Sequence, residues 1–140
     1  MGDQENQLNQ TVSDQLLSAA REAGKYAYAP YSNYHVGAAV LADNGEVFTG
    51  CNVENASYGL TNCGERTAIF KAVSSGVRKI KAIAIAGPVG GAPAYPCGAC
   101  RQVIAEFAEA ADMPIYVSTG AESSETYTLA ELLPKGFELN

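Results

Sequence analysis

Apolar residues Leu16, Leu17, Ala20, Ala23 and Ala27 recur at helical spacing behind Ser13 and Asp14, either of which can cap, and predict a first helix from about residue 14. The run Tyr28-Ala29-Pro30 stops it, because a residue before proline is pushed out of the α region. Val36 to Ala42 reads as a buried strand, Asn44-Gly45 as a hairpin turn, and Glu46 to Cys51 as the returning strand. Asn52 to Asn62 is polar without a period and is expected to be a functional loop. Ala68, Ile69, Ala72 and Val73 share one face of a second helix that Gly76 ends. Lys79 to Ala86 finishes in a continuous apolar run, as in a strand covered on both faces. A Gly/Pro loop follows from Gly87 to Pro93. A third helix is expected from about Cys100 to Ala111, with Val103, Ile104, Phe107 and Ala108 inward. Pro114 to Ser118 is a further strand, and Tyr127 with Leu129 to Leu133 suggests a last short strand and a short helix.

Helices alternating with apolar strands imply an α/β protein, a three-layer α/β/α sandwich around a central five-stranded mixed sheet. Residues 1–13, rich in Gln and Asn, read as a flexible polar arm, and residues 14–140 as one domain. A length of 140 residues fits a single core.

Charge narrows the partners. Nine Lys and Arg against fifteen Asp and Glu leave a net charge of −6, and the one cationic cluster is Arg78, Lys79 and Lys81. Nucleic-acid binding rests on clustered cations, so long polyanions are poor candidate partners. No run approaches the roughly 20 apolar residues of a membrane helix. The first ten residues lack the cationic start and apolar core of a secretory signal, which makes a reducing cytoplasm the expected location. There, four cysteines suggest metal binding or catalysis before disulfides.

The chemistry gathers at Cys63-Gly64-Glu65 and Pro96-Cys97-Gly98-Ala99-Cys100. Two thiols three apart can share a metal ion when one lies on a loop and the other on the first turn of a helix. Helix N-termini also favour thiolates, so two helix starts could converge on one site. Three thiolates would leave a tetrahedral zinc one open position, where water is activated near neutral pH. Glu65 would lie beside that water and carry its proton. Arg66 could offset the surplus negative charge by donating to a sulfur.

These residues resemble the three-cysteine form of the zinc deaminases. Longer strings sharpen the likeness: Tyr28-Ala29-Pro30-Tyr31-Ser32, Val36-Gly37-Ala38-Ala39, Gly50-Cys51-Asn52-Val53-Glu54-Asn55-Ala56-Ser57-Tyr58, Glu65-Arg66-Thr67-Ala68 and Glu131-Leu132-Leu133-Pro134. Together they closely resemble the small homotetrameric cytidine deaminases over roughly Asp14 to Phe137. The resemblance implies hydrolysis of free cytidine and 2′-deoxycytidine to uridine and 2′-deoxyuridine with release of ammonia, in pyrimidine salvage. It implies one Zn2+ per chain on Cys63, Cys97 and Cys100, and Glu65 as proton carrier. It places Asn52 and Glu54 on the ribose 3′-hydroxyl and the Gly64 N–H on the pyrimidine carbonyl. Tyr34 would line the base pocket, while Tyr58 and Phe137 would reach a neighbouring subunit's site. Relatives usually carry Ala at position 64 and Phe at position 34, so this chain departs at both.

Other readings stay open at this point. The cysteines could form a structural zinc site, with Cys51 closing it as a fourth ligand, although a buried packing role suits Cys51 better. Glu65 could merely cap a helix, and Arg66 or Arg101 could be ordinary helix charges. Asn52 and Glu54 could satisfy the loop, Tyr34 could fill the core, Phe137 could plug the C-terminus, and His35 receives no role. At the level of function, the alternatives are a deaminase of another small aminated heterocycle, a polynucleotide editor, and a zinc-stabilised binding module.

Overall fold

The strand Ile80–Ala86 sorts its side chains by size, and that sorting organises the layers. Ile80, Ile83 and Ile85 belong to one apolar cluster together with Ala68, Ile69, Ala72, Ile104, Ile115 and Val117. Ala82, Ala84 and Ala86 belong to a second cluster with Leu16, Leu17 and Ala20. Isoleucines fill the thicker layer, and alanines let a helix lie close on the opposite face. Full burial of each such isoleucine is worth about 2–3 kcal/mol.

The protein is described by a computed structural model covering residues 2–139, with side chains from Gln10 onward; Met1 and Asn140 lie outside the described residues. Along the chain run α1 (Gly2–Gly24), β1 (Gly37–Ala42), β2 (Val47–Cys51), a 3-10 turn at Tyr58–Leu60, α2 (Gly64–Ser74), β3 (Ile80–Ala86), α3 (Gly98–Phe107), β4 (Pro114–Ser118), β5 (Ser124–Thr128) and α4 (Leu129–Leu132). The five strands form one sheet in the order β2-β1-β3-β4-β5. Only β3 and β4 pair in parallel, across the α3 crossover, and the other neighbours are antiparallel. α1 covers one face, and α2 and α3 cover the other. The expected three-layer sandwich and mixed five-stranded sheet are what the chain adopts.

Tight contact sets the position of α2. A Cβ on Gly50 in β2 would stand 2.4 Å from the Ala68 N, so only glycine lets α2 lie this close to the strand. The far end of α2 is closed by Gly76 at φ 103°, where Gly76 N–H donates to the Val73 carbonyl and Val77 N–H to the Ala72 carbonyl. This is a Schellman ending, as the glycine suggested.

Four helix boundaries differ from expectation. The segment 2–13, read as a flexible arm, is helical in the described residues, because α1 begins at Gly2 rather than at a cap near residue 13. Ser13 does not cap; its hydroxyl donates to the Gln10 carbonyl from inside the helix. No proline interrupts the segment, and Gln, Glu and Leu extend a helix readily once a packed part nucleates it. α1 ends at Gly24 rather than Ala27, because Tyr28 is drawn into a bridge with Val53. α3 runs Gly98–Phe107 rather than Cys100 to Ala111. After it, Ala108 bridges Ile80 and Glu109 N–H donates to the Ile80 carbonyl, so a tertiary contact overrides the helix propensity of Glu109-Ala110-Ala111.

Candidate active site

Helices α2 and α3 start beside each other, and each starts on a cysteine. Cys63 is the N-cap of α2 and Cys97 the N-cap of α3, both in extended backbone and without a capping bond from the side chain. Cys100 lies on the first turn of α3 and is fully buried. The sulfurs of Cys63, Cys97 and Cys100 are within 4.8 Å of one another.

The electrostatics favour an anionic cluster. The Cys63 thiol is pulled down to about 5, first by its hydrogen bond with Cys100, with Arg66 assisting and burial opposing. Cys100 is pushed up by the same bond and by burial. The charge of the pair therefore settles on Cys63, where Arg66 Nη2 donates to Sγ at 3.3 Å. Arg66 Nε is buried with no partner among the described residues, a donor left over beside the sulfurs.

These residues fit a zinc ion. Three thiolates are a soft donor set that suits it. Tetrahedral geometry with Zn–S near 2.3 Å wants sulfurs about 3.8 Å apart. The sulfurs would have to close by at most about an ångström to reach that spacing. Cys51 is not in the cluster; it ends β2, half-buried, its thiol pushed up by burial.

Glu65, the second residue of α2, is 4% exposed. Burial first of all pushes its carboxyl up to about 7; the Cys63 charge adds to this, and a backbone hydrogen bond opposes it. A carboxyl titrating there can both accept and release a proton at neutral pH. Over it opens a cavity of about 340 Å³, at the small end of small-molecule sites.

Of the residues expected at the site, Tyr34, Asn52, Glu54, Cys63, Gly64, Glu65 and Cys97 line this cavity. Cys100 and Arg66 stand behind it. Tyr58 and Phe137 do not reach it within the chain, and they are 81% and 68% exposed.

Two of the lining residues carry structural work that the sequence left open. Asn52, 8% exposed, accepts from the Val36 N–H at Oδ1 (2.9 Å) and donates from Nδ2 to the Tyr34 carbonyl (2.8 Å). It thereby fixes the chain where it enters β1. Glu54 Oε1 accepts from the N–H groups of Tyr31 (2.9 Å) and Ser32 (3.1 Å), and Oε2 accepts from the Ser32 hydroxyl. The Ser32 bonds hold the Glu54 carboxyl below its usual range.

The rest of the wall had no site role assigned from the sequence: Ser32, Val36, Thr61, Pro93, Ala94 and Tyr95. The last three come from the Gly/Pro loop after β3, which is pinned at two points. Tyr34 donates its hydroxyl to the Ala92 carbonyl, and Tyr95 donates to Glu125 at 3.0 Å while its ring meets Tyr127 edge-on. Arg101 also does more than a surface charge would. Its Nε donates to the Pro96 carbonyl (2.8 Å) and its Nη1 to the Leu132 carbonyl (3.0 Å), tying the approach to Cys97 to the end of α4.

An α/β sandwich with a three-sulfur cluster beside a buried carboxyl is the layout of the zinc deaminases. Residues 10–117 match the family described as the cytidine and deoxycytidylate deaminase zinc-binding region, and the chain belongs to that family. A cytidine deaminase of Sporosarcina psychrophila is 50% identical over 124 residues, 89% of this chain and 90% of its own length. One from Halalkalibacterium halodurans is 49% identical over 122 residues, 87% of this chain and 91% of its own. The crystal structure of cytidine deaminase from Burkholderia pseudomallei superposes with a TM-score of 0.81 at 46% identity, covering 89% of this chain and 98% of that one.

Proposed function

We propose that this protein hydrolyses free cytidine and 2′-deoxycytidine to uridine and 2′-deoxyuridine, releasing ammonia, as a step of pyrimidine salvage in the cytoplasm. The observation that carries the reading is the buried Glu65 carboxyl, set between the Cys63, Cys97 and Cys100 sulfurs and a nucleoside-sized cavity. Cys63, Cys97 and Cys100 hold one zinc per chain, which when bound supplies the Lewis acidity that makes water a nucleophile near neutral pH.

Glu65 takes a proton from the attacking water and delivers it to the ring N3. As the C4–N bond breaks, it passes the second water proton to the departing amine. The water oxygen remains on C4, and the nitrogen leaves as ammonia. The Gly64 N–H, at the start of α2, meets the pyrimidine carbonyl, and the Tyr34 ring lines the base. The Glu54 carboxylate, with lone pairs left over on Oε2, accepts from the ribose 3′-hydroxyl beside Asn52. A carboxylate there repels a 3′-phosphate, so the substrate is a free nucleoside rather than a polynucleotide, in keeping with the net charge of −6.

The protein works as a homotetramer, with Tyr58 and Phe137 completing a neighbour's site. Their exposure, together with that of Leu60 and Phe70, supports an assembly that covers them. No helix among the described residues is long and apolar enough to cross a membrane.

Loss of the cytosine absorbance with stoichiometric ammonia, on protein assayed for zinc, is the expected result. Zinc-loaded protein that leaves both nucleosides unchanged would refute the reading.

A further inference from the structure

The stretch that carries Phe137 is held by a side chain that the chemistry itself does not use. Gln102 on α3, two residues past Cys100, donates from Nε2 to the Phe137 carbonyl at 2.9 Å and accepts from the Phe137 N–H at Oε1 at 3.2 Å. A primary amide set against one residue's N–H and C=O satisfies both groups of both partners. It fixes the height of that backbone and its rotation as well, much as a strand pair would. Beyond the turn at Pro134-Lys135, these are the hydrogen bonds of the tail among the described residues. The Phe137 ring meanwhile stays 68% exposed, so the tail is anchored by its backbone and not by packing its aromatic onto its own chain. Next to Gln102, Arg101 holds the Pro96 and Leu132 carbonyls. One helical turn therefore grips the approach to Cys97, the end of α4 and the tail together.

We propose that Gln102 is a positioning residue that presents Phe137 to the base site of a second copy of this chain. The helix that carries Cys97 and Cys100 in one subunit thereby also sets the aromatic offered to the next. This rests on the reading of Phe137 as a cross-subunit contact.

A double-mutant cycle on the zinc-loaded protein tests it. Gln102→Ala is expected to raise KM for cytidine three- to tenfold with kcat within twofold, and to leave zinc content and assembly unchanged. Phe137→Ala is expected to raise KM at least as much, and adding Gln102→Ala to it should change nothing further. A merely structural role for Gln102 would not vanish in the Phe137→Ala background. If Phe137→Ala raises KM and Gln102→Ala does not, or if the two effects multiply, the positioning role is overturned while the reading of Phe137 stands. If Phe137→Ala leaves KM unchanged, the cross-subunit reading falls and takes the inference with it. Should Gln102→Ala fail to assemble, Gln102→Glu runs the same cycle, keeping the acceptor for the N–H and losing the donor. A rise in KM that disappears in the Phe137→Ala background supports the role, and no rise overturns it.

Discussion

Arg66 Nη2 donates to Cys63 Sγ at 3.3 Å across the first turn of α2, setting a guanidinium against the sulfur whose thiol is pulled down. Three thiolates on a divalent zinc leave a formal charge of −1, which weakens Lewis acidity. A guanidinium donating to one sulfur withdraws part of that surplus. Arg66→Gln is therefore expected to lower zinc affinity about 10- to 100-fold, the usual cost of losing a partner of a metal ligand. Competition with a chelator reads it, and unchanged zinc retention would remove Arg66 from the site.

Cys51 ends β2 outside the sulfur cluster. Cys51→Ala should retain one zinc per chain and near-normal turnover, with a stability loss of about 1 kcal/mol for the vacated half-buried volume. Loss of zinc in this variant would point to a closed four-sulfur centre, the arrangement of a structural binding module.

Gly64 opens α2, where alanine is the stronger helix former. A Cβ there would meet the Val36 carbonyl oxygen at 3.2 Å, a contact that a shift of a few tenths of an ångström relieves. Gly64→Ala should keep activity and gain up to about 1 kcal/mol in thermal unfolding, since alanine loses less backbone entropy in a helix. A large loss of kcat would show that the Val36 segment cannot give.

Glu54 predicts a pH response. Its carboxyl is held below the ordinary range by the Ser32 side-chain and backbone bonds, so the folded pKa is depressed. Any stability it lends is present above its unfolded pKa and is lost as pH falls through the folded one. Its capacity to accept a sugar hydroxyl follows the same course. KM for cytidine should consequently show no Glu54-dependent rise until the pH drops below the usual carboxylate range near 4.3. Glu54→Gln should raise KM at neutral pH by about tenfold, the cost of a charge-assisted hydrogen bond. An unchanged KM would leave Glu54 with only its turn-capping bonds to Tyr31 and Ser32.

Much of this molecule can be read in its sequence, for definable reasons. The continuous apolar run that ends at Ala86, the Asn44-Gly45 turn and the Gly76 stop are local signals, and the strand, the hairpin and the helix end they mark are found there. The Cys63 and Cys97–Cys100 spacing signals a metal cluster, because each cysteine opens a helix and the two helix starts abut. What the sequence hid depends on contacts far apart in the chain. The end of α3 is set by Ile80 meeting Ala108 rather than by propensity. The cavity wall from Pro93 to Tyr95 depends on Tyr34 reaching Ala92 and on Glu125 reaching Tyr95, pairs separated by 58 and 30 residues. Asn52 read as a candidate sugar ligand, and nothing in its neighbourhood announced that both ends of its amide hold residues 34 and 36.

Glu65 is proposed to move the proton at a metal centre it does not help to build. Zinc content and cytidine turnover measured on one preparation of Glu65→Gln test it most directly. Zinc near one per chain is expected, with kcat lowered by about 10²- to 10⁴-fold, the contribution typical of general acid–base catalysis. Normal turnover in that variant, with zinc in place, would contradict it.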